Sequence, residues 1–205
     1  MILLFEGPDG AGKSTMIKAV AAEHLAAGYP LESTAIWRAG PFPQDSDPWT
    51  EYVLPLMSLS ASRDWLVLVD RWHVGELVYG PIFRGGSRLS EDQRTWIDGF
   101  LRSMGGVLVH LTASTEELTR RITERGDDMV GPEHVEAIRT GFVREIDPLR
   151  GHKIYTRTYD TTGQRTQPTA AAIYLLARQE AAIAESAARH PSTDITYMEK
   201  YAWPT

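Results

Sequence analysis

Residues Gly7-Pro8-Asp9-Gly10-Ala11-Gly12-Lys13-Ser14-Thr15 place three glycines, an aspartate, a lysine and two hydroxyl side chains in one short stretch. The spacing of Gly7, Gly12, Lys13 and Ser14 matches G-x-x-x-x-G-K-S/T. Each part of that pattern suits phosphate chemistry. Glycines let consecutive backbone N–H groups curl around a β-phosphate, and the N-terminus of a following helix adds its dipole. The lysine reaches the β- and γ-phosphates, and the serine hydroxyl takes a place on magnesium. The context that the motif demands is present. Residues 2–5 are an apolar run that reads as a buried strand, and Met16, Ile17, Val20, Ala21 and Leu25 follow at helical spacing. The expected ligand is therefore ATP with Mg2+, contacted by Asp9, Gly10, Ala11, Gly12, Lys13, Ser14 and Thr15.

A second chemical position follows the apolar run Leu66-Val67-Leu68-Val69, which ends in Asp70 and then Arg71. An acid at the end of a buried strand can serve a metal, and an arginine beside it can grip phosphate with its planar fork. An aspartate that caps the next helix is the alternative. Ser14 and Asp70 are thus the candidate metal ligands, and Lys13, Asp70 and Arg71 are candidate catalytic residues. In residues 72–85, Trp72, Tyr79 and Phe83 could stack on a base, and Glu76 and Arg84 could read its edge. The alternative is a set of core aromatics with charges facing solvent.

Phe5-Glu6-Gly7-Pro8-Asp9-Gly10-Ala11-Gly12-Lys13-Ser14-Thr15 resembles the opening of thymidylate kinases. Asp70-Arg71-Trp72 is similar to that family's D-R-Y/H motif, and Val78-Tyr79 falls at the spacing of its A-Y-Q. Arg38-Ala39-Gly40-Pro41 resembles R-E-P-G, and Arg121-Ile122-Thr123-Glu124-Arg125-Gly126 resembles the helix leading into the lid. The resemblance runs over roughly residues 1–165. It implies that Arg38 and Arg71 hold the 5′-phosphate of an acceptor and that Asp9 lies near the acceptor sugar or the metal. It further implies Arg121 near the adenine, a catalytic Arg125 on the transferring phosphoryl group, a lid at about 125–133, and a homodimer.

Four departures from that pattern stand out. Gly75 and Gly80 replace the usual Ser and Gln, Ala39 replaces Glu, and residues 125–132 lack D-R-x-E. Three of them surround the acceptor and leave its identity open. The expected substrate-binding set is Asp9, Arg38, Arg71, Trp72, Glu76, Tyr79 and Arg84. The expected reaction is ATP-dependent phosphoryl transfer to a (deoxy)nucleoside 5′-monophosphate. A nucleoside, a modified pyrimidine nucleotide or a hydroxymethylated base in DNA is the alternative acceptor. A nucleotide-binding switch is a further alternative, but the N/T-K-x-D guanine motif of GTPases is absent from the sequence.

The elements that must position these groups are legible as well. Strands are expected at 2–5, 32–37, 66–69, 107–111 and 154–159. Helices are expected at about 13–27, 49–60, 90–104, 114–126, 132–146 and 168–188, with Pro148 ending the fifth of these. Apolar strands alternating with helices predict an α/β, three-layer P-loop NTPase fold: a five-stranded parallel sheet with helices on both faces. One domain is expected over the 205 residues. The chain has no cysteine, which excludes disulfides, thiolate zinc sites and a cysteine nucleophile. A net charge of −6 argues against duplex nucleic acid as a partner and is compatible with a small nucleotide acceptor. No apolar run is long enough for a membrane span, and the N-terminus lacks the charge and cleavage pattern of a signal peptide, so a cytoplasmic protein is expected.

Overall fold

The computed structural model describes residues 1–40, 42, 45–60, 65–126, 130–151, 154–163 and 165–189. Three apolar segments become the central strands: β1 (Ile2–Glu6), β3 (Leu66–Asp70) and β4 (Val107–Thr112). β2 (Thr34–Arg38) and β5 (Tyr155–Asp160) form the two edges. All pairings are parallel, in the order β2-β3-β1-β4-β5. Buried strands covered on both faces read as continuous apolar runs, because neither side of the pleat meets water. Edge strands escape that constraint, which is why Tyr155-Thr156-Arg157-Thr158 belongs to the sheet without an apolar signature.

Side-chain alternation along β1 divides the core in two. Leu3 and Phe5 join Leu66 and Leu68 on one face, with Met16, Val20, Phe142 and Ile173 from the covering helices. Ile2 and Leu4 join Val67 and Val69 on the other, with Tyr52, Trp72, Ile97 and Leu101. The covering helices are α1 (Lys13–Ala26), α2 (Pro48–Ser60), α3 (His73–Arg84), α4 (Glu91–Ser103), α5 (Thr115–Arg125), α6 (Val135–Gly151) and α7 (Thr166–Arg189).

Among the described residues, the five strands, the fold class and six of the seven α-helices match expectation. The seventh, α3, differs. Residues 73–84 contain Gly75, Gly80 and Pro81, which read as breakers, yet they form a helix of three turns. Burial of Val74 and Val78 against the core outweighs those local costs. Helix α6 likewise continues through Pro148 to Gly151 instead of stopping before it. Pro132 opens a short 3-10 turn, Pro132–His134, that leads into α6. Residues 127–129 of the expected lid, Pro41 of the R-E-P-G-like segment and residues 190–205 lie outside the described residues.

In register, Arg38 pairs with Asp70, Phe5 with Asp70, Glu6 with His110, and Thr112 with Asp160. The carboxyl ends of all five strands therefore lie along one edge of the sheet. Open parallel sheets bind ligands at that edge, where connecting loops and helix N-termini meet.

Candidate active site

The Gly-rich turn joins β1 to α1. Gly7 has φ +143°, and a Cβ there would meet Leu111 O at 1.9 Å, so the close approach of the loop to β4 requires glycine. Gly12 sits before α1 with φ +84° and supplies no side-chain cap. The first-turn amides of α1 are thus left for an outside anion. Lys13 is buried and donates to Gly7 O at 2.6 Å and Pro8 O at 2.8 Å. Burial, followed by the Arg71 charge, pulls its ammonium pKa down to about 8, against the opposing pull of Asp9, Asp70 and Glu6.

Ser14 Oγ donates to Asp70 Oδ2 at 2.9 Å, joining the loop to the end of β3. Asp70 Oδ1 is buried with no hydrogen-bond partner. A hydroxyl and a half-satisfied carboxylate side by side suit a hard cation that takes its remaining ligands from water and phosphate. Among the described residues no cluster of three acidic or histidine side chains could hold a metal without such help.

Beside this pair, Arg71 ion-pairs with Asp9, and Tyr79 Oη donates to the other Asp9 oxygen at 3.0 Å. Burial works against ionisation of Asp9, but Lys13, Arg71 and the bond from Tyr79 outweigh it and hold the carboxyl below its ordinary pKa. Burial first, then the Asp9 charge, pushes the Tyr79 phenol well up, so it stays a donor. Arg71 is the one non-glycine residue with positive φ among the described residues, at 72°. Such a conformation costs roughly 1–2 kcal/mol, and it aims the guanidinium at Asp9.

Two clefts meet here. The larger, of about 400 Å³, is lined by the Gly-rich loop, Lys13, Ser14, Thr15, Asp70, Arg38, Arg71, Arg121, Arg125 and Thr161, among others. Arg121 donates to Gly10 O at 2.9 Å and to Thr161 O at 2.9 Å, clamping the loop after β5 onto the Gly-rich turn. The smaller cleft includes Glu6, Tyr52, Trp72, Gly75, Glu76, Tyr79, Arg84 and Arg88 in its wall. Arg71 lines both. In the smaller cleft Glu76 accepts from Arg84 at 2.5 Å and from the Arg88 backbone N–H at 3.0 Å.

All the expected site residues thus lie on one cleft or the other, apart from Ala11, which is wholly buried beneath the Gly-rich turn. Trp72, expected to stack on a base, is only 1% exposed and packs against Tyr52, so it contributes to the floor of its cleft. Phe83 stacks on Tyr79 outside both linings. Sequence reasoning missed Arg88. The signal was Gly80: a Cβ there would lie 2.6 Å from Gly86 O and 2.9 Å from Ser87 Cα. Its absence lets the turn after α3 fold back and bring Arg88 onto Glu76.

No protein-family model matches the chain. No curated protein sequence matches it either. Solved structures do resemble it. The YorR protein from Bacillus subtilis, in complex with phosphorylated GDP, is 22% identical, over 88% of this chain and 97% of that one, with a TM-score of 0.69. A deoxyadenosine kinase from M. mycoides, with products dCMP and a flexible dCDP bound, is 16% identical over 87% of this chain and 99% of that one, with a TM-score of 0.50. These likenesses, with the sheet order and the Gly-rich turn, define a three-layer α/β P-loop fold.

Proposed function

We propose that this protein moves the γ-phosphoryl group of ATP to the 5′-phosphate of a (deoxy)nucleoside monophosphate, as thymidylate kinases do. One observation supports this above the others. Two clefts meet at Arg71, which ion-pairs with Asp9, and Lys13, Ser14, Thr15 and Asp70 line only the larger, which supports separate seats for a donor and an acceptor.

The amides of the Gly-rich turn, including those of Asp9, Gly10, Ala11 and Gly12, and the start of α1 at Ser14 and Thr15, cradle the β-phosphate. Lys13 releases Gly7 O and Pro8 O and turns to the β- and γ-phosphates. Ser14 and Asp70 would hold Mg2+, which when bound would neutralise charge on the phosphates. Arg121 borders the donor base, and Arg125, at the end of α5, reaches the transferring group. Arg38 and Arg71 hold the acceptor phosphate, Asp9 and Tyr79 its sugar, and Glu76 and Arg84 its base above the floor made by Trp72.

Phosphate is already an oxygen nucleophile, so the site needs alignment and charge cancellation more than a strong base. The cluster of arginines supplies both, because planar forks grip phosphate in two places.

The decisive assay follows ADP release with MgATP across a panel of nucleoside monophosphates, with nucleosides and hydroxymethylated pyrimidine nucleotides included. Stimulation by one or more monophosphates is expected. Stimulation by nucleosides alone would move the acceptor class, and stimulation by nothing in the panel would overturn the proposal.

A further inference from the structure

Glu6 is the last residue of β1, one position before the Gly-rich turn, and it is 1% exposed. It makes no ion pair among the described residues, although burying a carboxylate without a partnering cation is costly. Its Oε1 instead accepts from the backbone N–H groups of Trp72 at 2.8 Å, Val74 at 3.1 Å and Gly75 at 3.4 Å. Those amides open α3, whose own N-cap residue, Trp72, provides no side-chain cap. The other oxygen, Oε2, is buried with no hydrogen-bond partner and faces Gly75, where an added Cβ would lie 3.7 Å away. An apolar side chain here would leave the Trp72, Val74 and Gly75 amides without this acceptor.

We propose that Glu6 is a positioning residue that caps α3 from the end of β1 and thereby fixes the acceptor cleft relative to the triphosphate loop. The proposal rests on the kinase function above only for its kinetic consequence. Helix α3 carries Glu76, Tyr79 and Arg84, and its N-cap Trp72 follows Arg71 with its left-handed backbone. Three bonds from one side chain set the direction in which that helix leaves β3. Because Glu6 is covalently next to Gly7, any shift of the loop moves α3 with it, and the two clefts keep their alignment.

Three substitutions separate reach from charge. Glu6→Gln keeps an oxygen within reach of the α3 amides and loses the charge. Glu6→Asp keeps the charge and withdraws it by one methylene. Glu6→Ala removes both. Amide hydrogen exchange is measured at residues 72, 74 and 75, with amides within α1 as the internal reference. Exchange at those three positions is expected to accelerate roughly tenfold in Glu6→Asp and Glu6→Ala and to stay within about threefold of wild type in Glu6→Gln.

In kinetics, the acceptor KM is expected to rise roughly tenfold in Glu6→Asp while binding of MgATP changes less than about threefold, with Glu6→Gln raising it clearly less than Glu6→Asp. Should Glu6→Ala not fold, the contrast between Asp and Gln decides. Unchanged exchange in Glu6→Asp, or equal losses for donor and acceptor, or a Gln variant as impaired as the Asp variant, would overturn the proposal. The exchange readout needs no substrate. A protein that phosphorylates nothing in the panel but shows the exchange pattern loses its proposed reaction and keeps the cap.

Discussion

Asp9 concentrates the electrostatics of the site in one side chain. Burial opposes its charge, and Lys13 and Arg71, with the Tyr79 and Arg71 bonds, restore it, so its carboxyl titrates below the ordinary range. A depressed folded-state pKa contributes stability that is complete above the unfolded value of about 4 and is lost as pH falls through the folded value. Asp9→Asn is therefore expected to flatten the fall in melting temperature below about pH 4, while above that pH it is less stable than wild type. Thermal scans at stepped pH check this. Arg125 lines the larger cleft, and the proposed reaction puts it on the transferring phosphoryl group. Arg125→Ala is expected to lower kcat by roughly 100- to 1000-fold, with the MgATP dissociation constant changed far less. Steady-state kinetics with equilibrium binding on the same preparation test that split.

At the scale of elements, α3 supplies much of the wall of the smaller cleft, the proposed acceptor seat. Gly80→Ala pushes a methyl against Gly86 O and Ser87 Cα, which are backbone atoms that cannot swing aside. The return turn must move, at about 1–3 kcal/mol, and Arg88 should retreat from Glu76. A lower urea midpoint with a raised acceptor KM is expected, and an unchanged KM would detach Arg88 from recognition. Helix α4 is a useful contrast. Its Ser90–Gln93 capping box is formed in full. Ser90→Ala is expected to cost about 1 kcal/mol in urea unfolding and to leave the kinetic constants alone.

Over the whole molecule, the sheet separates two apolar cores and carries the site on one edge. Leu68 is fully buried in β3, two residues before Asp70. Leu68→Ala is expected to lower stability by about 2–5 kcal/mol, measured by denaturant unfolding, while MgATP still protects the folded state. The β2 edge is different: Ile36 is 58% exposed and Trp37 39% exposed, so changes there should be far milder. No helix among the described residues is long and apolar enough to cross a membrane.

The sequence by itself determined the strands, most of the helices and the Gly-rich turn, because each depends on local periodicity, caps or fixed spacing. It also marked Asp70 and Arg71, since an acid and an arginine closing a buried run are visible in one dimension. Only the tertiary structure decided α3, Arg88 and the role of Glu6. Residues 73–84 look broken by glycine and proline, and their helix is held by core burial and by a carboxylate 66 to 69 positions away in sequence. Arg88 meets Glu76 only because a glycine on one turn lets another turn approach. Contacts of that kind carry no periodic signature. They follow from which surfaces come together once the sheet has formed, and the smaller cleft is built almost wholly from them.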